Sequence, residues 1–215
     1  MTSEEPAPRR LRTAAYILAG GASSRFGRDK ALAKISGKPM LARTCELVFD
    51  TVTRDVRVIG SANKYEKCGF QCVEDLWPGE GPLGGILTAL LETTKRPTGP
   101  AWNLILSCDM PFLTEEILVY CVDRAKNSNA DVIVPKSSVG LEPLCACWRT
   151  GVVESLMKAF EDGIRKVTEA LKRVSMEVVD ERDWARFDKS GRLFWNMNTP
   201  AQYEEARRIL EAGGR

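Results

Sequence analysis

The sequence predicts an α/β fold in three layers, a sandwich with a mostly parallel sheet between helices. Two observations carry this. Short apolar runs of strand character alternate with amphipathic runs of helical period along nearly the whole chain. Three apolar runs also end in glycine or aspartate, at Gly20-Gly21, Asp75 and Asp109. The carboxyl ends of strands are where an open parallel sheet places its ligands.

The elements follow in order. "AAYILAGG" reads as a buried strand running into a loop. In "GKPMLARTCELVFD", Leu41, Cys45 and Val48 share one helical face, and Pro39 stands where a first turn tolerates it. "DVRVIGS" and "FQCVED" are strands. "GPLGGILTALLETT" is a helix that gathers Leu83, Ile86, Leu87, Leu90 and Leu91 on one face. "WNLILSCDMPFL" is a buried strand that closes on Cys-Asp and a proline turn. The next helix, in "LTEEILVYCVDRA", has Thr114 as its N-cap and acids in its first turn. "ADVIVPK" and "EPLCACW" are further strands, residues 151–173 are helical, "SMEVVD" is a short strand, and "TPAQYEEARRIL" is a closing amphipathic helix.

A chain of 215 residues is long enough to bury a real core as one domain. Residues 1–12, "MTSEEPAPRRLR", are polar and read as a flexible tail, which leaves residues 13–215 as the domain. A net charge of +2 gives no electrostatic reason to expect nucleic acid or an anionic membrane as partner. No apolar run approaches the ~20 residues of a membrane span, and the expected location is the cytoplasm.

The chain has no histidine, and its seven cysteines form no CxxC pair: Cys68 and Cys72 are four apart, Cys145 and Cys147 two apart. A zinc site is not indicated, and reduced core thiols are expected. An imidazole base is excluded as well. The chemistry must rest on metal, lysine, arginine or carboxylates, or need no protein base.

The glycine-rich stretch "ILAGGASSRFGRDKA" is neither GxGxxG nor GxxxxGK[ST], because Lys30 is followed by Ala31. Consecutive glycines let backbone N–H groups face an anion with no Cβ between. Arg25 can fork onto phosphate oxygens and Lys30 adds a point charge. The set suits a triphosphate; a tight strand-to-helix turn with stray charges is the alternative. Asp109 ends a buried apolar strand, where an ionised carboxylate is costly unless it is paired or binds metal; otherwise it caps the following turn. Asp75 has an Asx turn as its alternative role. For "NMNTP" the alternative is a plain helix start capped by Thr199.

"LAGGASSRFGRDKA" resembles the signature LxGGxxxRxGxxK of nucleotidyltransferases with a Rossmann-like fold. With "VEDLWPGEGPLGGI", "LILSCDMPFL", "EPLCACW" and "NMNTPAQYEEA" in the same order, the chain is similar to the molybdenum cofactor guanylyltransferase family over about residues 14–210. The resemblance implies transfer of GMP from GTP to the phosphate of molybdopterin, or of molybdenum-molybdopterin, with release of pyrophosphate and with Mg2+ as cofactor. It implies nucleotide binding by Leu18, Ala19, Gly20 and Gly21, triphosphate contacts and catalysis by Arg25 and Lys30, and a guanine-nucleotide contact at Asp75. Asp109 matches the magnesium ligand and a catalytic residue. Asn198 matches a residue near the metal and the acceptor phosphate, with Asn196 beside it. Other proteins of molybdenum cofactor biosynthesis are implied partners. The chain departs from the pattern twice. An asparagine after the second strand is replaced by Ser61 or displaced to Asn63, and Glu142, before Pro143, stands where some relatives have histidine.

The missing histidine fits this reading. A phosphate monoester with a second pKa of about 6 is mostly ionised at neutral pH, so as nucleophile it needs no base. A cytidylyltransferase acting on the same pterin is the nearest alternative, although "LAGG" and "RDK" favour guanine. A sugar-phosphate nucleotidyltransferase and a non-catalytic nucleotide- or cofactor-binding protein are the others.

Overall fold

The structure is a computed structural model that describes residues 12–20 and 29–212. It opens with strand β1 (Thr13–Leu18) and, after residue 29, a 3-10 turn at Lys30–Leu32 and a small hairpin of β2 (Lys34–Ile35) and β3 (Lys38–Pro39). Helix α1 (Met40–Thr51) leads to β4 (Val56–Ile59), a short α2 (Ala62–Tyr65) and β5 (Gln71–Val73). Helix α3 (Pro82–Thr94), β6 (Trp102–Ser107), α4 (Glu115–Asn127) and β7 (Val132–Ser137) follow. Then come β8 (Gly140–Leu141), β9 (Cys145–Arg149), α5 (Val153–Glu161), α6 (Val167–Ala170), β10 (Met176–Val179), α7 (Glu181–Trp184) and α8 (Pro200–Ala212).

The main sheet has the order β10-β7-β9-β6-β1-β4-β5, with β8 paired to β7. Strands β5, β4, β1 and β6 are mutually parallel, as are β10 and β7. Strand β9 runs antiparallel between β6 and β7. Its direction follows from its connection: the short hairpin of β7 and β8 turns the chain back, and a parallel return would need a crossover of a dozen residues or so.

Alternate residues of β1 face opposite layers. Ala15 and Ile17 pack with Leu41, Cys45 and Val48 of α1 and Ile117 and Cys121 of α4. Ala14 and Tyr16 pack with Leu83, Ile86, Leu87 and Leu90 of α3 and Leu156 and Ala159 of α5. This is the expected three-layer sandwich, and central strands apolar on both faces are its consequence. Leu91, expected on the buried face of α3, is only half-buried. It lies at the margin of that face, beyond the sheet's cover.

A buried polar chain crosses the second layer. The Tyr16 hydroxyl pairs with Thr93 Oγ1 at 2.8 Å, Thr93 Oγ1 with Asn103 Oδ1 at 2.7 Å, and Asn103 Nδ2 donates to Thr150 Oγ1 at 2.9 Å. A third apolar cluster of Ile35, Met40, Phe112, Met197 and Tyr203 fastens α8 and its leading segment to the β2–β3 hairpin. It brings the end of the chain to the carboxyl edge of the sheet.

All seven cysteines are free; five are buried and Cys68 and Cys72 are half-buried. Burial pushes the Cys121 thiol up to about 12, as expected of an inert core thiol. Among the described residues no group of histidine, cysteine and carboxylate side chains could hold a metal by itself. No helix among them is long and apolar enough to cross a membrane.

Candidate active site

The carboxyl edge of β1 is built for close approach. Ala19 N–H donates to Ile59 O at 2.8 Å. Gly60, at φ +152°, lies so near that a Cβ there would stand 2.2 Å from Ala19 O, so only glycine fits. On the other side Gly85 of α3 lets Leu18 pack flat; its Cβ would meet the leucine methyls at 3.3 Å. Gly20 is exposed and a Cβ on it would meet nothing within 4 Å. Among the described residues, then, packing does not demand a glycine there. Gly21 and Arg25 lie outside the described residues.

Lys30 starts the 3-10 turn that Asp29 caps. Asp29 Oδ1 accepts from Ala31 N at 2.9 Å, while Oδ2 accepts from the Tyr65 hydroxyl at 2.7 Å and pairs with Lys64 at 2.6 Å. Burial works to raise the Asp29 carboxyl, but Lys64, Tyr65 and the Ala31 amide outweigh it and hold it below the usual aspartate value. The turn is thereby tied to α2, and Lys30 is aimed at the sheet edge.

There the Lys30 ammonium meets two oxygens, Asp109 Oδ2 at 3.1 Å and Asn198 Oδ1 at 2.9 Å. The second carboxylate oxygen of Asp109 accepts from Ser107 Oγ at 2.6 Å. Asn198 is delivered by the backbone, since Met197 N–H donates to Asp109 O at 2.8 Å and the Met197 side chain is fully buried. Thr199 caps α8: its Oγ1 accepts from Gln202 N at 3.2 Å, and Gln202 Oε1 accepts from Thr199 N at 3.0 Å. Pro200 stands at the first helical position. The capping role of Thr199 and a site at Asn198 therefore coexist.

The other predicted residues lie apart. Asn196 turns back on its own segment, donating to Phe194 O at 3.2 Å, and shares a cavity of about 520 Å³ with Asn198. Asp75 follows β5, and its Oδ1 accepts from Trp77 N at 3.0 Å and from Thr88 Oγ1 at 3.1 Å. The Asx turn is real, and Thr88 adds a brace from α3. Three strand spacings separate β5 from β6, so Asp75 and Asp109 mark a stretch of edge roughly 14 Å long, on the scale of a nucleotide. Ser61 and Asn63 are exposed at the start of α2. Thr114 occupies the N-cap position of α4, yet its side chain makes no capping bond to the helix.

Sequence reasoning missed Ser107 and Asp29. The signal for Ser107 was its place two residues before Asp109, at the end of β6, where the turn that follows brings hydroxyl and carboxylate together. Asp29 could have been found as a turn-capping residue directly before Lys30.

The Asp109 and Asn198 oxygens already converge on one positive charge. A carboxylate and an amide oxygen are hard donors suited to Mg2+, which fills its shell with phosphate and water. The residues therefore fit a magnesium ion brought with a nucleotide.

Comparisons with known proteins give the family and the fold. The profile described as MobA-like NTP transferase domain matches residues 15–174. The molybdenum cofactor guanylyltransferase of Desulfosudis oleivorans is 30% identical over 202 residues, covering 92% of this chain and 95% of its own. A probable molybdenum cofactor guanylyltransferase of Natranaerobius thermophilus is also 30% identical, over 200 residues, with 91% and 95% covered. Among solved structures, molybdopterin-guanine dinucleotide biosynthesis protein A of Archaeoglobus fulgidus superposes with a TM-score of 0.77 at 25% identity, covering 93% of this chain and 99% of that one. A nucleotidyltransferase by fold and by sequence, the chain belongs to the MobA-like NTP transferase family, alongside relatives of like length named molybdenum cofactor guanylyltransferase.

Proposed function

We propose that this protein transfers GMP from GTP to the terminal phosphate of molybdopterin, forming a molybdopterin guanine dinucleotide and releasing pyrophosphate. An acceptor phosphate oxygen bonds to the α-phosphorus while the bond from that phosphorus to the oxygen bridging the α- and β-phosphates breaks. The observation that carries the reading is the meeting of Lys30, Asp109 and Asn198. Nucleophile and leaving group are both anionic here, so the site's task is electrostatic.

Residues 13–215 act as one catalytic unit in this reading. Lys30 and Arg25 neutralise the triphosphate, and the backbone of Leu18, Ala19, Gly20 and Gly21 approaches it. Asp109 and Asn198 would hold a magnesium ion, which supplies Lewis-acid stabilisation of the phosphate charge when bound. Asp75, braced by Trp77 N and Thr88, faces the base end, with Ser61 and Asn63 nearby along the edge. The acceptor is molybdopterin or its molybdenum-bearing form, and hand-over to other proteins of cofactor biosynthesis follows from the nature of the product. No nucleic acid or membrane is engaged. Seven unpaired cysteines suit a reducing cytoplasm.

The test is pyrophosphate release with each of GTP, CTP and ATP in the presence and absence of molybdopterin. Turnover with GTP that depends on molybdopterin is expected. Turnover with CTP alone would reassign the base, and none with any nucleotide would remove the transferase assignment.

A further inference from the structure

We infer that Val139 is a specificity-determining contact for the acceptor's ring body, which lies in the cavity between the β7–β8 hairpin and residues 181–198. The inference rests on the proposed acceptor and deepens it. The cavity, about 520 Å³, has the size of a small-molecule site. The hairpin supplies Ser138 and Val139 to its lining, residues 181–198 supply Trp184, Arg192 and Trp195, and Asn198, which accepts from Lys30, lines it as well. An acceptor whose phosphate lies beside Asn198 can extend into this cavity, which Asn198 lines.

Val139 is the anomaly that points to a ligand. It sits in the two-residue connection between Ser137 and Gly140, where small polar residues usually serve. It is 86% exposed, far above the other exposed large hydrophobics among the described residues. The turn gains nothing from an exposed β-branched side chain. A flat heteroaromatic ring covered by it on one side and facing tryptophan and arginine on the other would bury it.

The lining is also held in place. Ser137 Oγ accepts from Val139 N at 3.2 Å and donates to Glu142 Oε1 at 2.6 Å. Glu142 is itself buried. Trp184 Nε1 donates to Lys136 O at 3.0 Å and ties the two lining segments together. Asp188 gathers the amides of Ser190, Arg192 and Leu193 at 3.1, 3.1 and 3.2 Å, which shapes the opposite side. Ser137 is thus a positioning residue for Val139.

Steady-state kinetics with GTP and molybdopterin test the inference. Val139→Asp should raise the KM for molybdopterin about tenfold, the scale of one apolar side-chain burial lost, with the KM for GTP unchanged. Val119→Asp, an exposed apolar position on α4 away from the cavity, should match wild type. Ser137→Ala should raise the same KM severalfold and Ser137→Thr should restore it. An unchanged molybdopterin KM in Val139→Asp, or a parallel rise in the GTP KM, overturns the inference and leaves the transferase reading intact. A wild-type protein that uses GTP but never molybdopterin overturns both.

Discussion

One ammonium joins three distant parts of the chain: Lys30 Nζ lies 3.1 Å from Asp109 Oδ2 and 2.9 Å from Asn198 Oδ1, across sequence separations of 79 and 168 residues. The lysine holds together the two oxygens proposed to receive a metal. In the proposed reaction the same ammonium would turn to phosphate once nucleotide and metal are bound.

This makes Lys30→Met informative in two directions. GTP affinity should fall by one to two decades, the value of a charge-assisted hydrogen bond at roughly 1.5–3 kcal/mol. Lys34→Ala, an exposed lysine on β2, should leave it nearly unchanged. Without nucleotide, Lys30→Met should bind Mn2+ more tightly than wild type, because the competing ammonium is gone. Titration calorimetry with GTP and then with Mn2+ reads both effects, and equal GTP affinities in the two lysine variants would contradict the assignment.

Asp109→Asn keeps the shape of the site and loses its charge. GTP should still bind, since Lys30 and the backbone at the end of β1 remain. Transfer should fall by about 10²–10³-fold, as when one electrostatic stabiliser is removed, and added magnesium should restore part of it. Ser107→Ala removes the 2.6 Å hydrogen bond that orients the carboxylate. Its effect should be smaller, about one to two decades, since a hydrogen bond to a charged group is worth about 1.5–3 kcal/mol. Pyrophosphate release at several magnesium concentrations measures both variants.

Much of this architecture was legible in the sequence because period and polarity are local. The faces of α1 and α3 followed from spacing, and Asp109 stood out because a carboxylate at the end of an apolar run needs a partner. What was not legible depends on long-range closure. The direction of β9 is set by the β7–β8 hairpin, whose pairing spans only two residues of each strand and carries too little pattern to be read. Asn198 reaches Asp109 through the Met197 amide and a cluster including Ile35, Phe112 and Tyr203, which no local window contains. Asn196, equivalent to Asn198 by position alone, turns the other way for a local hydrogen bond.

Base choice tests the far end of the site. Asp75 is fixed by Trp77 N and Thr88 Oγ1, which would hold its carboxylate ready for the base proposed to meet it. Guanine offers two adjacent N–H donors there and cytosine does not. Asp75→Asn should reduce kcat/KM for GTP by about tenfold or more and narrow the preference over CTP, because a site built around hydrogen bonds discriminates through the groups a wrong base leaves unpaired. An unchanged GTP to CTP ratio would limit Asp75 to shaping its turn.

Glu142 links the acceptor side to stability. Burial raises its carboxyl above the ordinary value of 4.5; the Ser137 hydrogen bond opposes the shift and the negative charge of Asp109 adds to it. Between 4.5 and the raised folded value the native chain keeps a proton that the unfolded chain has lost. The stability this group contributes is therefore fully present below 4.5 and declines as pH rises through the folded value. Glu142→Gln has no proton to lose and retains an oxygen for Ser137. It should melt at about the same temperature as wild type at acid pH and above it at pH 8, by about 2–4 °C if the burial cost is ~1 kcal/mol in a chain of this size. Thermal unfolding of both proteins across that pH range makes the comparison. Coincident curves at every pH would mean that Glu142 ionises in the folded protein without cost, and a variant less stable at pH 8 would make its charge a stabilising one.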